Sequence, residues 1–435
     1  MPAASRLAAA VAVTSLAAAA APAADLVYAP GDRDPFVGMN LWKITGGGDP
    51  DAVVAQVEAM HAQGYRQVNL IPRVYVEGRQ DDSLPGVGSY VLTSAPVAAD
   101  PLGEETTLSD DDLRAGIRRA KQLGMHVSVT PHLTSPSNAV GRAEMRIVDT
   151  SVASDAIGRS AFWTGYGDSL VRWAGIAEQE GADRFNVGSE LTSLASDRDN
   201  LGGWDDVLTR VDAAFGGRIG YQELQFAYDD AIVKELWSHT SIDYVALSAY
   251  LEVERYEPPY GPEPKVYDDQ TVENVGAYGA FVAGKVGAKL GWFRDVAFDV
   301  GKPLVLEELG TTAINGASGT PYIFDFAALD GDDPDALDRF SDPEEMLGWY
   351  QGVLMALDGT YGTGAGEIER ANLWTWAWQN GYAGEPFGLG ASLAAGDANL
   401  LASEFLSSFV SQPIPEPTAL GALAVLPAVL LRRRR

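Results

Sequence analysis

Two patterns of apolar and polar positions alternate along the chain: a short, mostly apolar run, then a longer segment with apolar residues at helical spacing. "FVGMNLW" (36–42) is strand-like, and Val53, Val54, Val57 and Met60 then recur as on one helix face, ended by Gly64. "RQVNLIPRVYV" (66–76) is the next strand-like run. After a long loop, Ser109 and Asp112 form a capping-box start for a helix carrying Leu113, Ile117 and Leu123. Gly124 stops it before "HVSVTPHL" (126–133). Leu170, Trp173 and Ile176 mark a helix over 161–180 that leads into "DRFNVGSEL". Helices near 204–215 and 229–237 precede "RIGYQ" and "IDYVALSAY". Longer helices over 272–300 and 343–357 precede "KPLVLEELG" (302–310) and "ANLWTWAW" (371–378).

Eight such strands alternating with helices predict the α/β class and a single (β/α)8 TIM barrel. An open doubly wound sheet is the alternative, but its first turn should be Gly-rich, and "LWKITGGGDP" lacks the G-x-G-x-x-G spacing. Between about residues 24 and 411 there is no low-complexity linker and no repeat of solenoid length.

The ends differ from this middle. Residues 1–23 carry one Arg, an Ala/Val/Leu stretch and Ala21-Pro22-Ala23, the pattern of a secretory signal peptide with an A-x-A cleavage site. Residues 412–435 contain Pro415-Glu416-Pro417, an apolar run from Ala419 to Leu431 shorter than the roughly 20 residues of a comfortable span, and four terminal arginines. That order resembles the PEP-CTERM sorting tail of bacterial envelope proteins, and the resemblance implies removal by an exosortase-type enzyme after export. A retained anchor is the competing reading. The expected division is a signal peptide at 1–23, the barrel at 24–411 and a sorting or anchor segment at 412–435, with membrane contact only transient and the mature protein in the envelope or outside the cell.

In barrels the chemistry gathers at the C-terminal strand ends. Here those ends are Asn40, Arg73, His132, Glu190, Gln222, Tyr250, Glu308 and Trp376, a polar, aromatic and acidic set above Val, Leu and Ile interiors. A buried unpaired carboxylate costs several kcal/mol, so Glu190 at the close of an apolar run calls for a use. Glu308 ends the seventh strand and Glu190 the fourth, on opposite sides of the barrel. Two such carboxylates suit glycosidic cleavage, one protonating the leaving oxygen and the other attacking or stabilising the anomeric carbon. Glu307 lies beside Glu308. Since adjacent strand residues point to opposite faces, one of the two should enter the cleft and the other should pair with a base or solvent behind the strand.

The helix "FWTGYGDSLVRWAGIAEQEGAD" running into "RFNVGSEL", with "IDYVALSAY" and "GKPLVLEELG" further on, resembles glycoside hydrolase family 113 within the clan of retaining barrel β-glycosidases. Characterised members are endo-β-1,4-mannanases. The resemblance spans roughly 36–380 in strand and helix order and is concentrated in these stretches. It implies Glu190, after Gly188 and Ser189, as the acid/base, and Glu308, opening Glu308-Leu309-Gly310, as the nucleophile. Ser189 departs from the Asn usual in the wider clan. Tyr250 is implied as the residue that bonds the nucleophile and keeps it ionised, while Glu190 would have to start protonated. The loops at 78–108 and 311–342 are long, so substrate identity transfers less readily than mechanism; another β-glycan or a non-catalytic polysaccharide-binding barrel are the alternatives.

Further substrate contacts are expected from His132 and Arg73, each of which also fits an ordinary rim or salt-bridge role, and from Asn40 and Trp42 at the first strand end. Trp374, Trp376 and Trp378 alternate; if they face the interior, Trp376 nearest the rim is the sugar-stacking platform, and if they face the helices they are core. Tyr256, Tyr260 and Tyr267 in a proline-rich loop either line a cleft or pack the loop. "DGDDPDALD" (330–338) is rich in oxygen ligands but lacks the EF-hand spacing. No catalytic-metal, P-loop or G-x-S-x-G motif occurs, so no cofactor or metal is expected. The composition agrees: a net charge of −29 disfavours nucleic-acid and anionic-membrane partners, and the absence of cysteine excludes disulfides and thiolate chemistry.

Overall fold

A computed structural model describes residues 37–42, 49–81, 90–98, 107–135, 141–148, 151, 153–253, 272, 274–313, 318, 321, 342–358, 360–376, 389 and 400–411. Eight strands close into a barrel: β1 (Val37–Trp42), β2 (Gln67–Ile71), β3 (His126–Val129), β4 (Arg184–Ser189), β5 (Arg218–Leu224), β6 (Tyr244–Ser248), β7 (Leu304–Leu309) and β8 (Ile368–Leu373). Each pairs in parallel with its sequence neighbours, and β8 returns to β1. The helices between them are α1 (Pro50–Ala62), α2 (Asp110–Gln122), α3 (Arg159–Glu180), α4 (Leu201–Ala214), α5 (Ala231–Trp237), α6 (Val275–Asp299) and α7 (Pro343–Leu357), with α8 (Leu400–Ser411) after β8. The expected (β/α)8 barrel is therefore the fold.

The helix starts are written locally. Ser109 and Asp112 exchange the two hydrogen bonds of a capping box at α2, and Asp49, Asp230, Asn274 and Asp342 cap α1, α5, α6 and α7 with their side-chain oxygens. The faces they present inward are the predicted ones: Val53, Val57 and Met60 on α1, and Leu113 and Ile117 on α2, are buried.

Three strands, β2, β3 and β8, have bounds other than those the sequence reading gave. Pro72 and Pro131 bring no N–H, so β2 and β3 end before them. Above the barrel the same chains resume as a two-stranded ribbon, Arg73–Tyr75 beside His132–Thr134, with Arg73 directly opposite His132. The eighth strand also begins and ends earlier than expected, closing at Leu373. A small sheet of Gly78–Gln80, Tyr90–Leu92 and Met145–Arg146 forms in the loops after β2 and β3.

The ladder is interrupted at two places that matter below. Between β4 and β5 the register passes from Gly220↔Asn186 to Gln222↔Ser189, and between β6 and β7 from Leu247↔Leu306 to Ser248↔Glu308. Each shift is one extra residue on the strand that carries a rim glutamate, the signature of a β-bulge, which re-aims side chains near a site.

Candidate active site

Glu308 stands at the end of β7, almost wholly buried. Its Oε2 accepts from the Tyr250 hydroxyl at 2.8 Å, and its Oε1 accepts from Gln222 Nε2 at 2.9 Å. The second Gln222 amide hydrogen is spent on Ser248 Oγ at 2.7 Å, which leaves the amide one orientation. Burial pushes the Glu308 carboxyl above the usual carboxylate range, while the charge of Arg142 and the bonds from Tyr250 and Gln222 pull it back. Its oxygens thus meet donors oriented for the anionic form.

Glu190 follows β4 with φ 55°, the left-handed region, and is the only non-glycine residue with positive φ among the described residues. Such a backbone costs roughly 1–2 kcal/mol and persists where surrounding contacts impose it. Its amide donates to the Gln222 carbonyl at 2.9 Å, so Gln222 holds Glu190 through its backbone and Glu308 through its side chain. Glu190 Oε2 accepts from Arg142 Nη2 at 2.8 Å. Arg142 opens a short 3-10 turn (Arg142–Glu144) after the third strand's ribbon; burial works against its charge, but the fields of both glutamates and of Tyr250 and the bond to Glu190 raise its pKa on balance. The guanidinium thus binds Glu190 directly and acts on Glu308 through its charge.

An aromatic patch separate from the main core joins them: Ile71, Tyr250 and Trp374, with Trp42 packed against them. The Trp42 and Trp374 rings lie 5.3 Å apart, and the Arg73 guanidinium sits 4.7 Å over Trp42. His132 stacks on Trp374 at 6.1 Å, and its Nε2 is 3.5 Å from Glu308 Oε1, beyond hydrogen-bond length. Burial and the charges of Arg142 and Arg73 push the His132 ring well below its usual pKa despite the opposing field of Glu190, so it is neutral at pH 7. Flat apolar rings beside the carboxylates are what a pyranose ring packs on.

Three expectations are corrected by this geometry. Trp376 is only 2% exposed, packs in the main core near Tyr65, and donates its indole N–H to Gln56 of α1 at 2.8 Å. It is no sugar platform, because β8 ends at Leu373 and strand alternation does not extend to the tryptophans; Trp374 is the one that reaches the site. Asn40 does not face substrate either. It is fully buried, donates to the carbonyls of Glu307 and Leu373, and accepts from Asn69, so it braces the barrel interior. Glu307 does not point behind its strand. The bulge turns it into the barrel below Glu308, where Asn186 Nδ2 meets Oε1 at 2.9 Å and Asn372 Nδ2 meets Oε2 at 2.6 Å.

The structure thus gathers Glu190, Glu308, Tyr250, His132, Arg73 and Trp42. Sequence reading had no role for Arg142, Gln222 or Trp374. Gln222 was visible as a polar residue ending an apolar strand, but nothing local marks Arg142, which arrives through a loop. Tyr256, Tyr260, Tyr267, Trp378 and the acidic run 330–338 lie outside the described residues, as do the two terminal segments. No group of three or more His, Asp or Glu able to hold a metal occurs among the described residues.

A closed parallel barrel with two glutamates at opposed strand ends, both tied to Gln222 and beside one arginine over an aromatic floor, defines a barrel glycosidase. The chain belongs to glycoside hydrolase family 113, whose sequence model matches residues 101–355, and is a β-glycoside hydrolase. No curated protein sequence matches it. Among solved structures it is similar to the family 113 β-mannanase of Alicyclobacillus acidocaldarius, at 18% identity and a TM-score of 0.58, covering 86% of this chain and 96% of that one. A second family 113 β-1,4-mannanase is 14% identical with a TM-score of 0.60, covering 86% of this chain and 98% of the other. At these identities the likeness is one of fold.

Proposed function

We propose that the protein is an exported retaining hydrolase acting within β-1,4-mannan-type chains. The observation that carries the mechanism is the Glu308 carboxylate, held by Tyr250 and Gln222 and joined through Gln222 to Glu190, which Arg142 holds in turn. In the first step a Glu308 oxygen attacks the anomeric carbon as the glycosidic C–O bond breaks, and Glu190 gives its proton to the leaving oxygen. In the second step Glu190 takes a proton from water, whose oxygen displaces Glu308 and restores both groups. Arg142 must give up Glu190 Oε2 to the leaving oxygen on substrate binding. Trp42 and Trp374 are the stacking surfaces, and His132 and Arg73 the hydroxyl contacts. The substrate class rests on the family and on the β-mannanase activity of its solved members, and export rests on the signal-like and tail-like ends of the sequence.

The test is incubation of the protein and its Glu308→Ala variant with mannan, glucomannan, xylan and β-glucan, counting reducing ends and following the anomer first released by NMR. Mannan cleavage with retained β-configuration, abolished in the variant, is the expected result. Release of the α-anomer would refute double displacement, and cleavage of xylan or β-glucan alone would refute the mannan assignment.

A further inference from the structure

Glu307 is a fully buried acidic residue that the proposed reaction does not use. The ladder passes over it on the β6 flank, where Leu306 and Glu308 pair with Leu247 and Ser248, and on the β8 flank it passes over both Glu307 and Glu308 between Leu306↔Ala371 and Leu309↔Leu373. The bulge frees its carbonyl to accept from Asn40 Nδ2 of β1 at 2.8 Å. Its carboxylate is gripped by Asn186 of β4 and Asn372 of β8. Asn186 is itself tied to Thr130, Thr130 to Asn69, and Asn69 to Asn40, so the belt runs round much of the barrel.

The cradle is shaped for these amides. A Cβ added at Gly38 of β1 would come within 2.3 Å of both Asn372 Oδ1 and Gln67 Cγ, and one at Gly220 of β5 within 2.2 Å of the Tyr244 ring and 2.6 Å of Asn186 Oδ1, so both glycines leave room for the amides and their neighbours. An apolar residue at 307 would avoid the several kcal/mol of burying a carboxylate. Burial pushes the Glu307 carboxyl up, Asn186, Arg184 and Asn372 oppose that, and the neighbouring charge of Glu308 raises it again.

We propose that Glu307 is a positioning residue: clamped between Asn186 and Asn372, it sets how far β7 stands from β4 and hence the separation of Glu308 from Glu190. Asn186 lies four residues before Glu190 and Asn372 two before Trp374, so one carboxylate registers the nucleophile, the acid/base and the aromatic floor together. This rests on the proposed roles of Glu190 and Glu308. Because a misplacement of about 1 Å can cost a hundredfold in rate, a belt fixing that distance has catalytic value.

Glu307→Gln places an amide N–H2 against Asn372 Nδ2, so the Asn372 amide must turn over and put its own N–H2 in the Oδ1 position beside Gly38, whereas adding Asn372→Asp restores a donor facing an acceptor with the net charge unchanged. Crystal structures of wild type, Glu307→Gln and the double variant give the Glu190–Glu308 carboxyl separation whatever the substrate proves to be. We expect a change of more than about 0.5 Å in the single variant, a kcat at least tenfold lower with KM within twofold, and recovery of both distance and kcat in the double variant. An unchanged separation in Glu307→Gln, or a double variant that regains thermal stability without the separation, would overturn the proposal. If the single variant does not fold, the double variant decides: the native separation supports the clamp, and an altered one overturns it. Wild type that cleaves no β-glycan would instead strike the functional reading, leaving the distance measurement to judge the clamp.

Discussion

Glu223→Gln is the substitution for which the structure gives a magnitude. Glu223 follows Gln222 on β5 and is fully buried. Its Oε1 accepts from Thr192 Oγ1 at 2.5 Å and from the Leu224 amide at 2.7 Å, and its Oε2 from the Tyr221 hydroxyl at 2.8 Å. Burial pushes this carboxyl up to about 7; the three donors oppose that, and the Glu190 charge adds to it. Relative to the ordinary 4.5, the rise corresponds to roughly 3 kcal/mol. The folded state holds the proton more tightly than the unfolded chain. The stability this confers is therefore complete below about pH 4.5 and lost as pH rises through about 7. A glutamine stays neutral throughout. Its amide oxygen can accept from Thr192 and Leu224 and its amide nitrogen can donate to the Tyr221 oxygen, while the Tyr221 O–H loses its acceptor, a cost that does not vary with pH over this range. The variant should gain on wild type by roughly 3 kcal/mol between pH 5 and 8. In a barrel of this size that amounts to about 3–4 °C in thermal midpoint. Calorimetry of both proteins at pH 5, 6, 7 and 8 measures it. A difference that is flat with pH, or that shrinks on raising it, would refute the assignment of a neutral buried carboxyl to Glu223.

Tyr250→Phe removes a hydrogen bond to a charged group, worth about 1.5–3 kcal/mol, so kcat on mannan should fall roughly 10- to 100-fold. Because that bond holds the Glu308 carboxyl down, its loss should also move the acid limb of the kcat/KM profile to higher pH. Trp374→Ala should raise KM with little change in thermal midpoint, whereas Trp376→Ala should destabilise the barrel by about 3–5 kcal/mol in urea titration. Arg142→Ala should impair both half-reactions, since it removes the charge shared by Glu190 and Glu308. Pre-steady-state kinetics on an aryl β-mannoside would show the release and hydrolysis phases slowed together.

Much of this protein is legible along the chain because its causes are local. Helix caps at Ser109, Asp230 and Asp342 act within a few residues, and the alternation of apolar runs with helical spacing records which faces must be buried. From that pattern follow the barrel, the rim positions of Glu190, Glu308 and Tyr250, and the family that the chain resembles. What the chain could not show depends on offsets between strands. The alternation rule sends Glu307 and Glu308 to opposite faces, but one extra residue in the ladder lets both point inward. The same rule carried through the tryptophans favours Trp376, yet the strand stops at Leu373 and Trp374 takes the site. Arg142 reaches Glu190 across 48 positions of sequence, and Asn372 reaches Glu307 across 65. Contacts of that kind are set by barrel closure and register, which no local pattern encodes; tertiary structure alone decided them.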